Sequence, residues 1–213
     1  MTRHEIPEDV RAIVFDVGET LVDETRLWGA WAREVGATPL AVMGVLGALI
    51  ERGEDHRCVW TVLGVSAPQR TGQIEFADLY SDAVECLHAA REAGYVVGIA
   101  GNQPAGAVQQ LNALGFAADF VGSSTHWGVA KPSREFFERV LAVSGFAPEQ
   151  VLYVGDRLDN DILPARDLGM RTAFLRRGPW GYLHALRAQV ASADLRISSL
   201  DELTELVRRK RLA

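Results

Sequence analysis

The sequence predicts an α/β fold: a mainly parallel, doubly wound sheet with helices on both faces, interrupted early by a helical insert. Three observations carry this. An apolar run at residues 12–15 stops at Asp16 and is followed by Gly18, Glu19 and Thr20, the pattern of a buried strand breaking into a loop. From Asp82 onward, short apolar stretches alternate with helical patterns, as in successive parallel βαβ units. Between the two, residues 23–81 read as helices.

Thr25 is expected to cap a helix over residues 25–35, with Leu27, Trp28, Trp31 and Val35 on one face and Gly36 as the stop. Thr38-Pro39 restarts a helix that Gly53 ends. A further short helix is read near Cys58 to Leu63. Asp82 and Glu85 form a candidate capping box for a helix that stops at Gly94. The alternation then runs as strand 95–100, helix 104–114, strand 120–124, helix 133–143, strand 151–154, helix 162–168 and strand 171–175. A loop at Gly178-Pro179, a helix near 182–190, a short strand at 195–197 and a last helix from Asp201 complete it. The reading is therefore a core of residues 1–22 and 82–213, Rossmann-like in its winding, with an inserted helical domain at 23–81.

The totals narrow the classes. With 213 residues, 48% hydrophobic and 23% charged, the chain can bury a substantial core. A net charge of −6 disfavours general nucleic-acid binding. The polar first ten residues lack the apolar centre of a signal peptide, and the longest apolar stretch, residues 40–50, is too short to span a bilayer. Cys58 and Cys86 form neither a metal-ligand spacing nor a disulfide framework, so a cytoplasmic protein is expected. The five histidines make no metal pattern. Of 22 basic residues 20 are arginine, leaving Lys131 and Lys210 as the lysines. The terminal run Arg208-Arg209-Lys210-Arg211 follows Asp201 and Glu202 on one helix, so complementarity to the helix dipole accounts for it. No nucleophile elbow, P-loop or dinucleotide fingerprint is present.

In such a fold, functional groups belong at the carboxyl ends of the strands. There the chain places Asp16, then Gly101-Asn102, then Lys131-Pro132 ahead of a helix, then Gly155-Asp156 with Asp159, Asn160 and Asp161. Carboxylates facing one another stay ionised only if a cation or a lysine offsets them. Mg²⁺, a hard ion held by one or two carboxylates plus a substrate phosphate, is the natural cofactor.

In these four stretches the chain resembles the haloacid dehalogenase-like hydrolases, mostly phosphatases, over nearly its whole length. The insert at 23–81 lies where that family places a small helical cap. The resemblance implies Asp16 as the nucleophile that forms an aspartyl-phosphate. It implies Asp16, the Gly18 carbonyl and Asp156 as Mg²⁺ ligands, with Asp161 supporting the metal or Lys131. Lys131 would neutralise the phosphoryl group, and Thr20, Gly101 and Asn102 would help bind it.

Two positions depart from the family pattern. Gly18 stands where the phosphatases carry a second aspartate as general acid and base, and Gly101 stands where a serine or threonine is usual. A missing general acid should cost about 10²- to 10⁴-fold in rate. Glu19 is a poor substitute, because neighbours on an extended strand point to opposite faces. The leading expectation is a Mg²⁺-dependent phosphatase for a small phosphorylated metabolite, slow or restricted to good leaving groups. The alternatives are a 2-haloacid dehalogenase, whose halide needs no acid, and a catalytically silent protein that binds a ligand or partner. A phosphonatase is excluded by the absence of lysine from the insert. Trp28 and Trp31 read as the insert's own core, with a pocket lining including Trp60 as the other option. No membrane or nucleic-acid partner is expected, and the assembly is a monomer or homodimer.

Overall fold

Strand β1 (Ala12–Phe15) is buried along its whole length, and its side chains alternate between two separate cores. Ile13 and Phe15 pack with Cys86, Leu87, Leu203 and Val207, whereas Ala12 and Val14 pack with Phe136, Phe137 and Val140. A strand with helices against both faces has to be apolar throughout, and this explains the run that precedes Asp16. Burial of side chains such as Phe136 and Phe137, both fully enclosed, contributes about 1.5–3 kcal/mol each.

The computed structural model describes residues 5–69, 72–104, 106–116 and 118–212. The start of the polar N-terminal stretch, Ala105 in the helix expected at 104–114, and the side chain of Arg211 in the basic run lie outside the described residues. After β1 come α1 (Thr25–Glu34), α2 (Pro39–Arg52), α3 (Val59–Val62) and α4 (Ala83–Glu92). Next are β2 (Val96–Gly101), α5 (Ala107–Ala113), β3 (Phe120–Ser123), α6 (Ser124–Trp127) and α7 (Arg134–Ser144). The chain continues through β4 (Val151–Gly155), a π-helical turn (Leu158–Ile162), α8 (Leu163–Asp167), β5 (Arg171–Leu175), α9 (Gly178–His184), β6 (Leu195–Ile197) and α10 (Leu200–Leu212).

The six strands pair in parallel in the order β3-β2-β1-β4-β5-β6. The order reverses between β1 and β4, so the crevice outside their carboxyl ends is the topological switch point where such sheets bind ligands. Helices α4 and α10 cover the Ile13 face, and α7 and α8 cover the Val14 face.

Helices α1 to α3 stand apart from the sheet and share their own core: Ala32, Val42, Leu46, Leu49, Ile50, Val59 and Trp60, joined by Trp180 of α9. Thr38 accepts a hydrogen bond from the Ala41 amide, Pro39 opens α2, and Gly53 ends it at φ 69°, as the cap signals require. No single described helix is long and apolar enough to cross a membrane.

Several local expectations are corrected. Thr25 is not the cap of α1; the Asp23 carboxylate accepts from the Thr25 amide at 2.8 Å. Asp82 forms no capping box, because its carboxylate accepts instead from Arg177 and from the Leu200 amide. The expected helix at 182–190 is α9, which starts earlier because Pro179 occupies its first turn. The basic C-terminal run is in use on the protein surface: Arg208 pairs with Glu85, Arg209 with Glu205, and Lys210 donates to the Pro7 carbonyl.

Candidate active site

Asp16 follows β1 directly, and its amide donates to the Val154 carbonyl of β4 at 2.9 Å, so its position is set by the sheet. β4 ends at Gly155, where a Cβ would stand 2.4 Å from Asp161 Oδ2; the missing side chain allows the carboxylate to approach. The π-helical turn over 158–162 then folds Asp161 back, and its Oδ2 accepts from the Arg157 amide at 3.0 Å. Asp16, Asp156 and Asp161 thus converge, all buried, with one carboxylate oxygen from each within 4.8 Å of the others.

Lys131 enters this cluster from the loop after α6. Its Nζ lies 2.7 Å from Asp16 Oδ1 and 2.5 Å from Asp161 Oδ1. Its backbone is gripped by Asn102, which donates from Nδ2 to the Lys131 carbonyl and accepts from the Lys131 amide. The Asn102 side chain is therefore committed to positioning the lysine, while the residue itself lines the cavity into which the cluster opens. Thr20 is fully buried and is not among the residues that line that cavity, its carbonyl accepting from Arg177. Gly101 lies against Asp16, where a Cβ would be 2.5 Å from Oδ1. A serine or threonine at this position would compete with the Asp16 carboxylate for space.

The electrostatics follow from burial. Burial, with Asp161 adding to it, raises the Asp16 pKa to about 6 against the pull of Lys131. Asp156 is pushed well above the carboxylate range by burial and by Asp161 and Asp16. Burial opposes the charge on Lys131, but Asp16 and Asp161 outweigh it and hold the ammonium above the usual lysine range. One lysine faces three carboxylates, and Asp156 Oδ2 is buried without a hydrogen-bond partner. That orphaned oxygen in an all-oxygen donor set fits a hard divalent cation such as Mg²⁺.

The cluster opens into a cavity of about 460 Å³. Asp16, Gly18, Asp156 and Lys131 form its floor, and Leu27, Trp28, Trp31 and Trp60 contribute an apolar wall. Trp28 stands edge-on to Trp31 and stacks on Trp60, so these rings serve both the helical core and the cavity. Arg157 lies 4.7 Å from the Trp180 ring centroid on another side. Glu24 lines the cavity too, its pKa raised to about 7 by burial and by Glu19 and Asp16. Glu24, Arg157 and Trp180 were not singled out from the sequence. The available signal was the acid-rich stretch Glu19, Asp23 and Glu24 directly after Gly18.

A parallel sheet with a buried acidic centre and one lysine at its switch point defines an α/β protein with a candidate metal-binding active site. The chain belongs to the haloacid dehalogenase-like hydrolase family, whose model matches residues 10–169. Over 90 residues it is 38% identical to the glyceraldehyde 3-phosphate phosphatase of Methanocaldococcus jannaschii, covering 42% of this chain and 38% of that one. Over 130 residues it is 33% identical to the phosphoserine phosphatase of Thermus thermophilus, covering 59% of this chain and 49% of that one. In both cases the match spans less than half of the relative's length. A dehalogenase solved with an intermediate complex shares the fold at a TM-score of 0.68 and 24% identity, covering 94% of this chain and 98% of that one.

Proposed function

We propose that this protein is a Mg²⁺-dependent phosphatase that hydrolyses a small phosphorylated metabolite through an aspartyl-phosphate on Asp16. The observation that carries this reading is the buried trio Asp16, Asp156 and Asp161 with Asp156 Oδ2 left unpartnered beside a single lysine. Asp16, Asp156 and the Gly18 carbonyl would hold Mg²⁺, with Asp161 fixing Lys131. Bound there, the cation supplies the positive charge that lets an anionic phosphoryl group approach an anionic carboxylate.

In this reading Asp16 attacks phosphorus, and the Lys131 ammonium, pinned by Asp161 and Asn102, offsets charge on both partners. Amides of the turn at Gly101 bind phosphoryl oxygens. Helices α1 to α3, over residues 23–81, act as the cap that excludes water and selects substrate, Trp28, Trp31 and Trp60 being its face to the site. The phosphatase relatives act on small phosphate esters by name, which supports the substrate class. The net charge of −6 supports a reading without general nucleic-acid binding.

A panel of phosphate esters with and without Mg²⁺, run beside Asp16→Asn, tests this. Turnover that requires both the ion and Asp16 is expected, and a panel without turnover would count against it. Ligand binding without turnover would instead identify a catalytically silent protein. One observation favours a 2-haloacid dehalogenase: Gly18 brings no second carboxylate to the motif. Metal-independent chloride release from 2-chloropropionate would decide for that reading.

A further inference from the structure

Position 18 has no side chain, yet the space beside it is filled. A Cβ built on Gly18 would lie 2.6 Å from Oε1 and 2.9 Å from Cδ of Glu24. The Glu24 carboxylate, which precedes α1, thus occupies the place that a side chain at position 18 would take. It lines the same cavity as Asp16, Asp156 and Lys131, and it is not one of the three carboxylates gathered for a cation.

The placement is constructed rather than loose. Glu24 Oε2 accepts from the Trp28 indole at 3.2 Å, and the Glu24 amide donates to Glu19 Oε1 at 3.0 Å. Glu19 Oε2 in turn accepts from the Tyr80 hydroxyl at 2.6 Å. To reach both groups Glu19 adopts φ 52°, the one described non-glycine residue with a positive φ, a conformation that costs about 1–2 kcal/mol. Glu19 also lines the cavity, but both its carboxylate oxygens are engaged by the Glu24 amide and Tyr80, which makes it a positioning residue and leaves Glu24 as the acid at the place of the missing side chain.

We propose that Glu24 is the general acid and base of this site, replacing from the helical segment the carboxylate that Gly18 cannot supply. The inference rests on the phosphatase reading and sharpens its substrate class to ordinary alkyl phosphomonoesters. In the first half-reaction the Asp16–phosphorus bond forms and the ester P–O bond breaks. The departing alkoxide takes the Glu24 proton and leaves as an alcohol. In the second, the Glu24 carboxylate removes a proton from water as its oxygen bonds to phosphorus, and the Asp16 carboxylate is released with phosphate. The sum is ester plus water to alcohol plus phosphate, with Glu24 returned to its acid form.

Leaving-group dependence tests this. Wild type, Glu24→Gln and Glu24→Ala are assayed with phosphoserine and glyceraldehyde 3-phosphate, both alkyl esters, and with acetyl phosphate, whose leaving group needs no proton. In kcat/KM, which reports the steps up to departure of the leaving group, Glu24→Gln should lose about 10²- to 10⁴-fold on the alkyl esters and less than about tenfold on acetyl phosphate, whereas hydrolysis of the phosphoenzyme, common to all three, slows equally. Because the ratio is taken on one protein sample, partial unfolding cancels from it. Gly18→Asp alone should bring no gain, since its Cβ meets Glu24, whereas Gly18→Asp combined with Glu24→Ala should recover alkyl-ester turnover over Glu24→Ala. Equal losses of kcat/KM on all three substrates, or a wild type confined to acetyl phosphate, would overturn the inference while leaving a phosphatase in place. A wild type inactive on every phosphate would overturn both.

Discussion

The side-chain amide of Asn102 holds the backbone of Lys131 at both ends: Nδ2 donates to the carbonyl at 2.9 Å, and Oδ1 accepts from the amide at 2.8 Å. The residue after β2 thereby fixes where the chain must enter the acidic centre, and Lys131 needs only its own length to reach Asp16 and Asp161. Asn102→Ala should lower kcat by about ten- to a hundredfold, roughly 1.4–2.8 kcal/mol of barrier, with KM changed less. Asn102→Asp keeps the acceptor but sets a carboxylate oxygen against the Lys131 carbonyl, and should do at least as badly. Steady-state kinetics on the best phosphate ester check both; an Asn102→Asp enzyme as fast as wild type would contradict the clamp.

Asp156 offers the clearest test of the cation. Its Oδ2 is buried and unpartnered, and burial with its acidic neighbours favours its neutral form when no cation offsets the charge. Asp156→Asn fixes a neutral side chain of nearly the same shape. In EDTA the variant should melt at or above the wild-type temperature, because the cost of neutralising a buried carboxylate is gone. Millimolar Mg²⁺ should raise Tm in wild type, as binding to the folded state alone requires, and should leave Asp156→Asn unmoved. Differential scanning fluorimetry reads both, and an equal Mg²⁺ shift in the two proteins would place the ion elsewhere.

Gly101 raises a different expectation from the one its family pattern suggests. A hydroxyl there is usual in the resemblance, but a Cβ at position 101 would stand 2.5 Å from Asp16 Oδ1, which is itself paired with Lys131. Gly101→Ser should therefore displace the Asp16 carboxylate and reduce kcat at least about tenfold, or about 1.4 kcal/mol, rather than repair the site. Gain of turnover in this variant would show that Asp16 has room to move.

Much of this architecture was legible in the chain because the determinants are local. A strand buried on both faces must be apolar up to its end, so Asp16 and Gly155-Asp156 announce themselves at the carboxyl ends of β1 and β4. The same holds for Thr38-Pro39 and Gly53 around α2. The failures share a cause. Asp82 does not cap its own helix α4, because Arg177 and the Leu200 amide that opens α10, distant in sequence, claim its carboxylate. Asn102 serves Lys131, and Glu24 fills the place of a side chain at Gly18; both follow from approaches between segments. Such pairings are set by packing, and no spacing in the chain reports them. The aromatic wall is a mixed case: the helical spacing of Trp28 and Trp31 offered a core face or a pocket lining as alternatives, and the rings serve both.

His184 supplies a pH dependence of stability. Its ring is buried, and Nδ1 accepts from the Leu158 amide at 3.1 Å, holding the turn that delivers Asp161. Only an unprotonated Nδ1 can accept. Burial lowers the pKa from 6.5 to about 4; Asp159 and Asp161 oppose the shift, and Arg187 and Arg157 add to it. The folded-state value lies below the unfolded one, so as pH falls the unfolded chain binds the proton first. The contribution of His184 is therefore complete above pH 6.5 and is lost progressively as pH falls to about 4. His184→Asn places an amide oxygen near the position of Nδ1 and retains an acceptor that does not titrate. Urea denaturation of both proteins at several pH values from 7 to 4 should show wild type losing more stability than the variant across that window. Subtracting the two curves removes the opposing contributions of Asp16 and Asp156, whose raised values stabilise the folded state as pH falls. A difference between the proteins that stays constant with pH would show that the Leu158 hydrogen bond does not depend on the charge of His184.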